Sequence, residues 1–383
     1  MRVAVIGGGI IGMASGYYLA RRGADVTVYE QGGIGNGSTE RSAGGIRRQF
    51  STPVNVKLSD RSIEVWDRFE EEFGEDIDYR RSGYLFLARS ADVAEQFRET
   101  VAMQNDLGVP TELVDPERAA DIVPELDAAK FRVGMYLDTD GFADPHLALQ
   151  GFAQAVPAVG GAVETKTAVT DVLTTDGAVT GVEVEGERVE TDFVVNAAGP
   201  WAHRVAEMAE VSVPVRPKRR QVLVVEPQRE LPESVPLTID LETGVYFRPE
   251  REGTALVGGH FDDEDDPDRD PDHYSQRPDM DWQIEALELA TDVAGYFGPD
   301  ARIRRGWAGL YAVTPDHHPI LEETIPGLVS AIGFSGHGFQ QAPATGQIVT
   351  ELIFDGEPSL VDVSQLTSDR FETGDLIDER NVA

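Results

Sequence analysis

The chain has 383 residues, 68 of them acidic and 33 basic, for a formal net charge of −35. A chain of this length buries a large core and, as a starting expectation, holds two domains. The charge argues against nucleic acid or an anionic membrane as partner, and the lack of cysteine excludes disulfides, thiolate metal sites and cysteine nucleophiles.

Residues 3–6 are predicted as a strand, 10–22 as a helix and 26–30 as a second strand. Leu58, Ile63, Val65, Trp66 and Phe69 give 55–73 the spacing of one helix. A strand is expected over 83–88 and a helix over 93–107, and the turn Asp140-Gly141 leads to a helix from 145 to about 156. Strand-like stretches follow at 163–173 and 179–184, then a short buried strand at 193–196. From 213 to about 309 alternation dominates, interrupted by a helix at 281–295. Residues 262–272 are almost wholly acidic and read as an exposed loop. The last helix is expected at 343–354, and the acidic tail is expected to be partly ordered at best.

Lysine is reduced to Lys57, Lys130, Lys166 and Lys218. An acidic, lysine-poor surface suits a salt-filled interior, because molar salt cuts the Debye length to about 3 Å and screens self-repulsion. A halophilic source is therefore expected. No apolar run approaches the ~18 residues a membrane span needs, and no signal-peptide pattern opens the sequence. The expectation is a cytoplasmic protein without membrane insertion.

Gly7, Gly9 and Gly12 follow the first strand and open the first helix, with Ile10 and Ile11 between them. Gly7 allows the tight turn, Gly9 the approach of a pyrophosphate, and Gly12 close packing of helix on strand. The helix N-terminus then holds the phosphates. Glu30, followed by Gln31, ends the second strand 18 residues after Gly12. A carboxylate there accepts a ribose 2′-OH and repels a 2′-phosphate, so NADP is disfavoured. The fingerprint alone fits FAD and NAD alike. No second one follows a strand, and the small residues of 37–46 can lie flat against a ring system; both features favour FAD.

Four stretches then make the chain resemble the FAD-dependent D-amino-acid oxidase superfamily. They are the fingerprint with Glu30, residues 42–50, Asn196-Ala197-Ala198-Gly199-Pro200-Trp201-Ala202, and Gly333-Phe334-Ser335-Gly336-His337-Gly338-Phe339. A fifth, Thr314-Pro315-Asp316, follows Tyr311. The nearest branch holds monomeric sarcosine oxidase, the β subunits of sarcosine oxidase and proline dehydrogenase, and glycine oxidase. The resemblance implies an α/β (α+β) fold in which a Rossmann-like FAD domain carries an inserted antiparallel-sheet domain. The expected FAD domain is discontinuous, over 1–80, 140–212 and 310–365; the roof over the substrate spans 81–139 and 213–309, and an acidic tail 366–383. The implied FAD contacts are Glu30, Ser38, Ser42, Ala43, Gly44, Gly45 and Ile46. Val169, Ala197, Ala198, Gly199 and Trp201 join them, with Gly336, His337, Gly338, Phe339 and Gln340.

Departures from the family pattern sharpen the expectation. Gly309 stands where many sarcosine oxidases link flavin to cysteine, and residues 41–45 lack the histidine that anchors flavin in some dimethylglycine dehydrogenases. Noncovalent FAD is expected. Leu256 matches the oxygen-activating lysine when His260 is aligned with the family histidine, and Gln340 matches a carboxylate-binding lysine. This tilts the reading to a dehydrogenase, with the electron acceptor left open.

Oxidising an amine at its α-carbon needs a cationic partner for a substrate carboxylate and donors for the reduced flavin. Gly336, His337 and Gly338 are the candidates for the flavin side. Arg47 matches the family's carboxylate-binding arginine, with Arg48 as the alternative. Tyr246 and Arg248 share a strand face, and Tyr311 and His260 complete the candidate set. His317 and His318 lack a completed ligand shell, so no metal is expected. The implied reaction is hydride transfer from the α-C–H of a secondary amino acid (sarcosine, dimethylglycine or proline) to flavin N5. Two alternatives stay open. One is a D-amino-acid dehydrogenase or glycine-oxidase-like enzyme; the other is the flavin subunit of a hetero-oligomeric dehydrogenase.

Overall fold

The computed structural model describes residues 1–261 and 266–382; part of the acidic loop expected at 262–272 therefore lies outside the described residues. A six-stranded sheet runs in the order Ile320–Ile325, Leu328–Ile332, Phe193–Asn196, Arg2–Ile6, Asp25–Glu30 and Ala162–Thr165. Its neighbours are parallel except for the hairpin Ile320–Ile325/Leu328–Ile332. Both faces of the central strands are covered, which is why they read as continuous apolar runs. Val3, Val5, Val26 and Val28 face the helices Ile10–Arg21, Pro145–Ala158 and Gly338–Asp355. Ala4, Ile6 and Tyr29 face a three-stranded sheet formed by Val169–Thr175, Ala178–Val184 and Glu187–Glu190.

The second large sheet has eight strands. Their order is Arg302–Val313, Arg216–Glu226, Ala255–Gly259, Tyr246–Pro249, Leu237–Asp240, Tyr84–Ala88, Val133–Leu137 and Glu112–Val114. Its pairings are antiparallel except that between Leu237–Asp240 and Tyr84–Ala88. Leu85, Leu87, Phe247 and Val257 pack with Ala286, Ala290 and Val293 of the helix Met280–Val293. Tyr84, Phe86, Tyr246 and Leu256 form a second cluster, on which Ala43 rests.

Four expectations change. The strand expected over 163–173 is two, Ala162–Thr165 in the six-stranded sheet and Val169–Thr175 in the three-stranded one, with Lys166 at φ +58° between them. The helix expected over 55–73 is two, Pro53–Trp66 and Phe69–Phe73. The break at Asp67 and Arg68 still brings Trp66 and Phe69 onto Phe152, with ring centroids 6.1 and 5.3 Å away. The last helix begins at Gly338, with Pro343 inside it. A proline cannot donate to the carbonyl four residues back, and the groups around it find partners on the helix Pro53–Trp66. Trp66 Nε1 donates to Gln340 O at 2.8 Å, and Ala344 N–H to Ser62 Oγ at 3.1 Å. The tail is packed rather than loose. Arg370 pairs with Asp316 at 2.7 Å where both are buried, and Glu379 and Asn381 are 1% and 2% exposed. Partners more than 50 residues away leave no local periodicity to read. Among the described residues no helix is long and apolar enough to cross a membrane.

Candidate active site

The glycine loop opens on a cavity of about 450 Å³. Gly7 has φ +114°, and a Cβ there would lie 2.5 Å from Ala197 O; a Cβ at Gly12 would lie 1.9 Å from Gly7 O. Only glycine fits either place, so Gly12 packs beneath the loop while Gly7, Gly9, Ile10 and Ile11 line the cavity. The helix N-terminus there favours an anion, and Thr39 Oγ1 already accepts the Ile10 N–H at 3.2 Å. Glu30 Oε2 accepts from Gly8 N at 2.8 Å and Oε1 from Gly32 N at 2.7 Å, which fixes the carboxylate at the cavity edge beside Gln31 and Val169. The wall continues through Ser38, Ser42, Ala197, Ala198, Gly199 and Trp201 to Leu310, Tyr311, Gly336, Gly338 and Phe339. At Gly336 a Cβ would strike the Tyr311 ring at 2.4 Å, so main chain and ring close on each other.

Beyond Tyr311 lies a buried group of side chains. Arg47 follows the short strand Gly45–Ile46, which pairs with Gly141–Phe142. Its main-chain N–H donates to Gln340 Oε1 at 2.8 Å. The guanidinium donates to Gln49 O, to Asn381 O at 2.5 Å and to His337 Nε2 at 3.4 Å. It lies 4.0 Å from the Phe50 ring centroid and 5.1 Å from that of Phe86. Burial depresses its pKa, and Tyr84, Glu379, Asp140 and Tyr311 act against that. His337 packs edge-on against Phe50; burial and then Arg47 hold it well below the usual histidine range, so it is neutral at pH 7. As the acceptor from arginine at Nε2 it carries its proton on Nδ1. Burial raises the hydroxyl pKa of Tyr84, Tyr246 and Tyr311, so all three remain protonated donors. Burial also raises Asp140 to about 7, although its Oδ2 accepts the Arg48 N–H at 2.8 Å.

The other candidate arginines already hold carboxylates. Arg48 Nε lies 3.2 Å from Asp60 Oδ1, in contact but without hydrogen-bond alignment. Arg248 pairs with Glu250 at 2.9 Å and donates to Ala43 O at 3.0 Å. Among the described residues Arg47 alone of the three has no carboxylate within 4.0 Å. His260 Nε2 stands 3.7 Å from Asp266 Oδ2, away from the cavity wall.

A strap, residues 266–272, borders the cavity. Arg204 holds Asp270 at 2.7 Å and Asp272 at 2.5 Å, Trp201 Nε1 donates to Asp272 at 2.8 Å, and Lys218 pairs with Asp268 at 2.8 Å. Arg220 grips Asp266 through two 3.0 Å bonds. Trp201, Arg204 and Asp272 all line the cavity.

A model of the family described as FAD dependent oxidoreductase matches residues 2–352. The chain belongs to the FAD-dependent oxidoreductase family. Its cavity suits that cofactor: a fixed carboxylate for a ribose, a helix N-terminus for phosphates, and a wall of small residues, Ser38, Ser42, Gly336 and Gly338, against which a ring can lie. With no cysteine in the chain, a thioether to the flavin cannot form. A solved L-proline dehydrogenase from P. horikoshii superposes with a TM-score of 0.89 at 34% identity, covering 98% of this chain and 99% of that one. FAD-dependent oxidoreductase domain-containing protein 1 of Xenopus laevis is 31% identical over 99% of this chain and 84% of its own. Mitochondrial dimethylglycine dehydrogenase of Rattus norvegicus is 26% identical over 96% of this chain, which spans 44% of that protein.

Within this FAD-dependent oxidoreductase, the expected cofactor residues fall into two groups. Most line the cavity, whereas Ala43, Gly44, Gly45, Ile46, His337 and Gln340 sit behind its wall, around Arg47 and Tyr84. Thr39, Arg204, Met208, Asp272 and Leu310 line the cavity without having been singled out from the sequence. Thr39 stood beside Ser38 in a small-residue loop and was within reach of inference. Asp272 is brought in by partners 68 and 71 residues away and carried no local signal. Tyr84 and Asp140, which join Arg47, likewise have no motif around them.

Proposed function

We propose that this FAD-dependent oxidoreductase oxidises the C–N bond of a small carboxylate-bearing amine, with secondary amino acids as the leading class. The observation that carries the reading is Arg47, a buried cation facing neutral carbonyls while Arg48 and Arg248 are already compensated. A buried guanidinium with no carboxylate in contact is costly, and a substrate carboxylate relieves that cost. Similarity to an L-proline dehydrogenase and to dimethylglycine dehydrogenases supports the substrate class. Arg47 would hold the carboxylate, and the protonated Tyr84, Tyr246 and Tyr311 would donate around the substrate and keep water out. Bound FAD supplies the two-electron acceptor for converting the amine to an imine, which water then hydrolyses. Leu256, 1% exposed in an apolar cluster, puts no cation at the position matched to oxygen activation, which supports a dehydrogenase with another acceptor.

The test is a screen of sarcosine, dimethylglycine, proline, glycine, D-amino acids and 2-hydroxy acids with an artificial dye. Reduction of the dye by secondary amino acids is expected, and reduction by 2-hydroxy acids alone would sink the amine reading. Faster turnover with oxygen than with dye would overturn the dehydrogenase preference.

A further inference from the structure

Arg47 is held by a segment that enters the site from far along the chain. The acceptor of its Nη2 is the main-chain carbonyl of Asn381, 334 residues away, and Asn381 Nδ2 also donates to Gln49 O at 3.0 Å. Segment 379–381 is fixed there by Glu379. Its Oε1 accepts from Ser51 N and Ser51 Oγ, both at 2.7 Å, and from Asn381 N at 3.2 Å. Its Oε2 accepts from Thr52 Oγ1 at 2.9 Å and Asn55 Nδ2 at 3.0 Å. Glu379 N–H in turn donates to Asp316 O, and Arg380 N–H to Ser51 Oγ.

We infer that Glu379 is a positioning residue for substrate binding: it pins segment 379–381 so that the Asn381 carbonyl holds Arg47 in the orientation that receives a carboxylate. The inference rests on the assignment of Arg47 above. Two arguments carry it. A guanidinium has five N–H donors; three are taken, one on Nη1 by Gln49 O and both on Nη2 by Asn381 O and His337 Nε2, which leaves the Nε–H and one Nη1–H as donors for a ligand oxygen. Secondly, Glu379 sits in the shell behind Arg47 rather than on it. A carboxylate in contact would take the remaining donors, whereas one set back through Ser51, Thr52 and Asn55 favours the cation and leaves them to a ligand.

The experiment compares wild type, Glu379→Gln, Glu379→Ala and Arg47→Met as holoproteins, with flavin content read from the absorbance spectrum. Dye-coupled kinetics use L-proline and sarcosine, and pyrrolidine as the carboxylate-free analogue. Glu379→Ala is expected to raise KM for the amino acids about tenfold, the size of one buried hydrogen-bond partner lost. The kcat should stay within about threefold, and pyrrolidine KM and flavin content should not move. Glu379→Gln is expected to give a smaller rise of the same kind, and it carries the test should the alanine variant fail to fold. An unchanged amino-acid KM in both Glu379 variants, alongside a raised one in Arg47→Met, overturns the inference and leaves Arg47 standing. A parallel rise with pyrrolidine, or loss of flavin, also overturns it by showing a merely structural role. An unchanged KM in Arg47→Met overturns the Arg47 assignment itself, and the inference with it.

Discussion

At the cofactor end, Gly7, Gly12 and Glu30 meet their neighbours through main-chain N–H and C=O groups; at the end proposed for the substrate, Arg47, Tyr84, Asp140, Tyr246 and Tyr311 meet as side chains from separate strands and loops. The difference sets how each end responds to change. A main-chain site fails as a unit when one added atom will not fit, whereas a side-chain site loses one interaction at a time.

Gly12→Val is expected to have the largest effect. A Cβ 1.9 Å from Gly7 O leaves no room for the loop, and the variant should contain no flavin after purification, as read by absorbance per chain. Arg47→Met keeps the volume but removes the charge, and should raise KM for carboxylate substrates about a hundredfold while retaining flavin. Retained flavin in the first variant, or an unaltered KM in the second, would erase the contrast between the two ends.

Glu30→Gln sharpens the comparison from the cofactor side. An amide cannot accept from both Gly8 N–H and Gly32 N–H without turning its NH2 on one of them, so FAD affinity should fall roughly tenfold, measured by titrating FAD into the apoprotein. Asp140 gives the smallest effect. Folded, it titrates at about 7 against an ordinary value of 3.8, so between about pH 4 and 7 the folded chain holds a proton that the unfolded chain lacks. Its contribution to stability is complete below that window and is lost as pH rises through 7. Between about pH 5 and pH 7.5, wild-type Tm should therefore fall relative to Asp140→Asn, by on the order of 2 °C; equal slopes would show that Asp140 does not titrate there.

The same contrast explains what the sequence disclosed. Gly7, Gly9, Gly12 and Glu30 are close in the chain, and their spacing is the geometry, so the βαβ unit and the phosphate end were legible. The strand at Phe193–Asn196 was legible too, because its run of buried apolar residues is local. Arg47 came through family resemblance, but the reason to prefer it over Arg48 and Arg248 lies in Asp60 and Glu250, whose pairings only the fold defines. The start of the last helix was misplaced because Pro343 reads as a first-turn residue; its tolerance depends on Trp66 and Ser62, some 280 residues earlier.

The strap adds a consequence for flavin exchange. Its grip on the cavity edge comes from pairs such as Arg204–Asp270 and Arg204–Asp272, whose side chains are 38–47% exposed. Mobile ions weaken such pairs, while the steric fit beneath Gly7 and Gly12 is indifferent to them. Entry and exit of the cofactor should therefore quicken together as ionic strength rises, with less change in how much is bound at equilibrium.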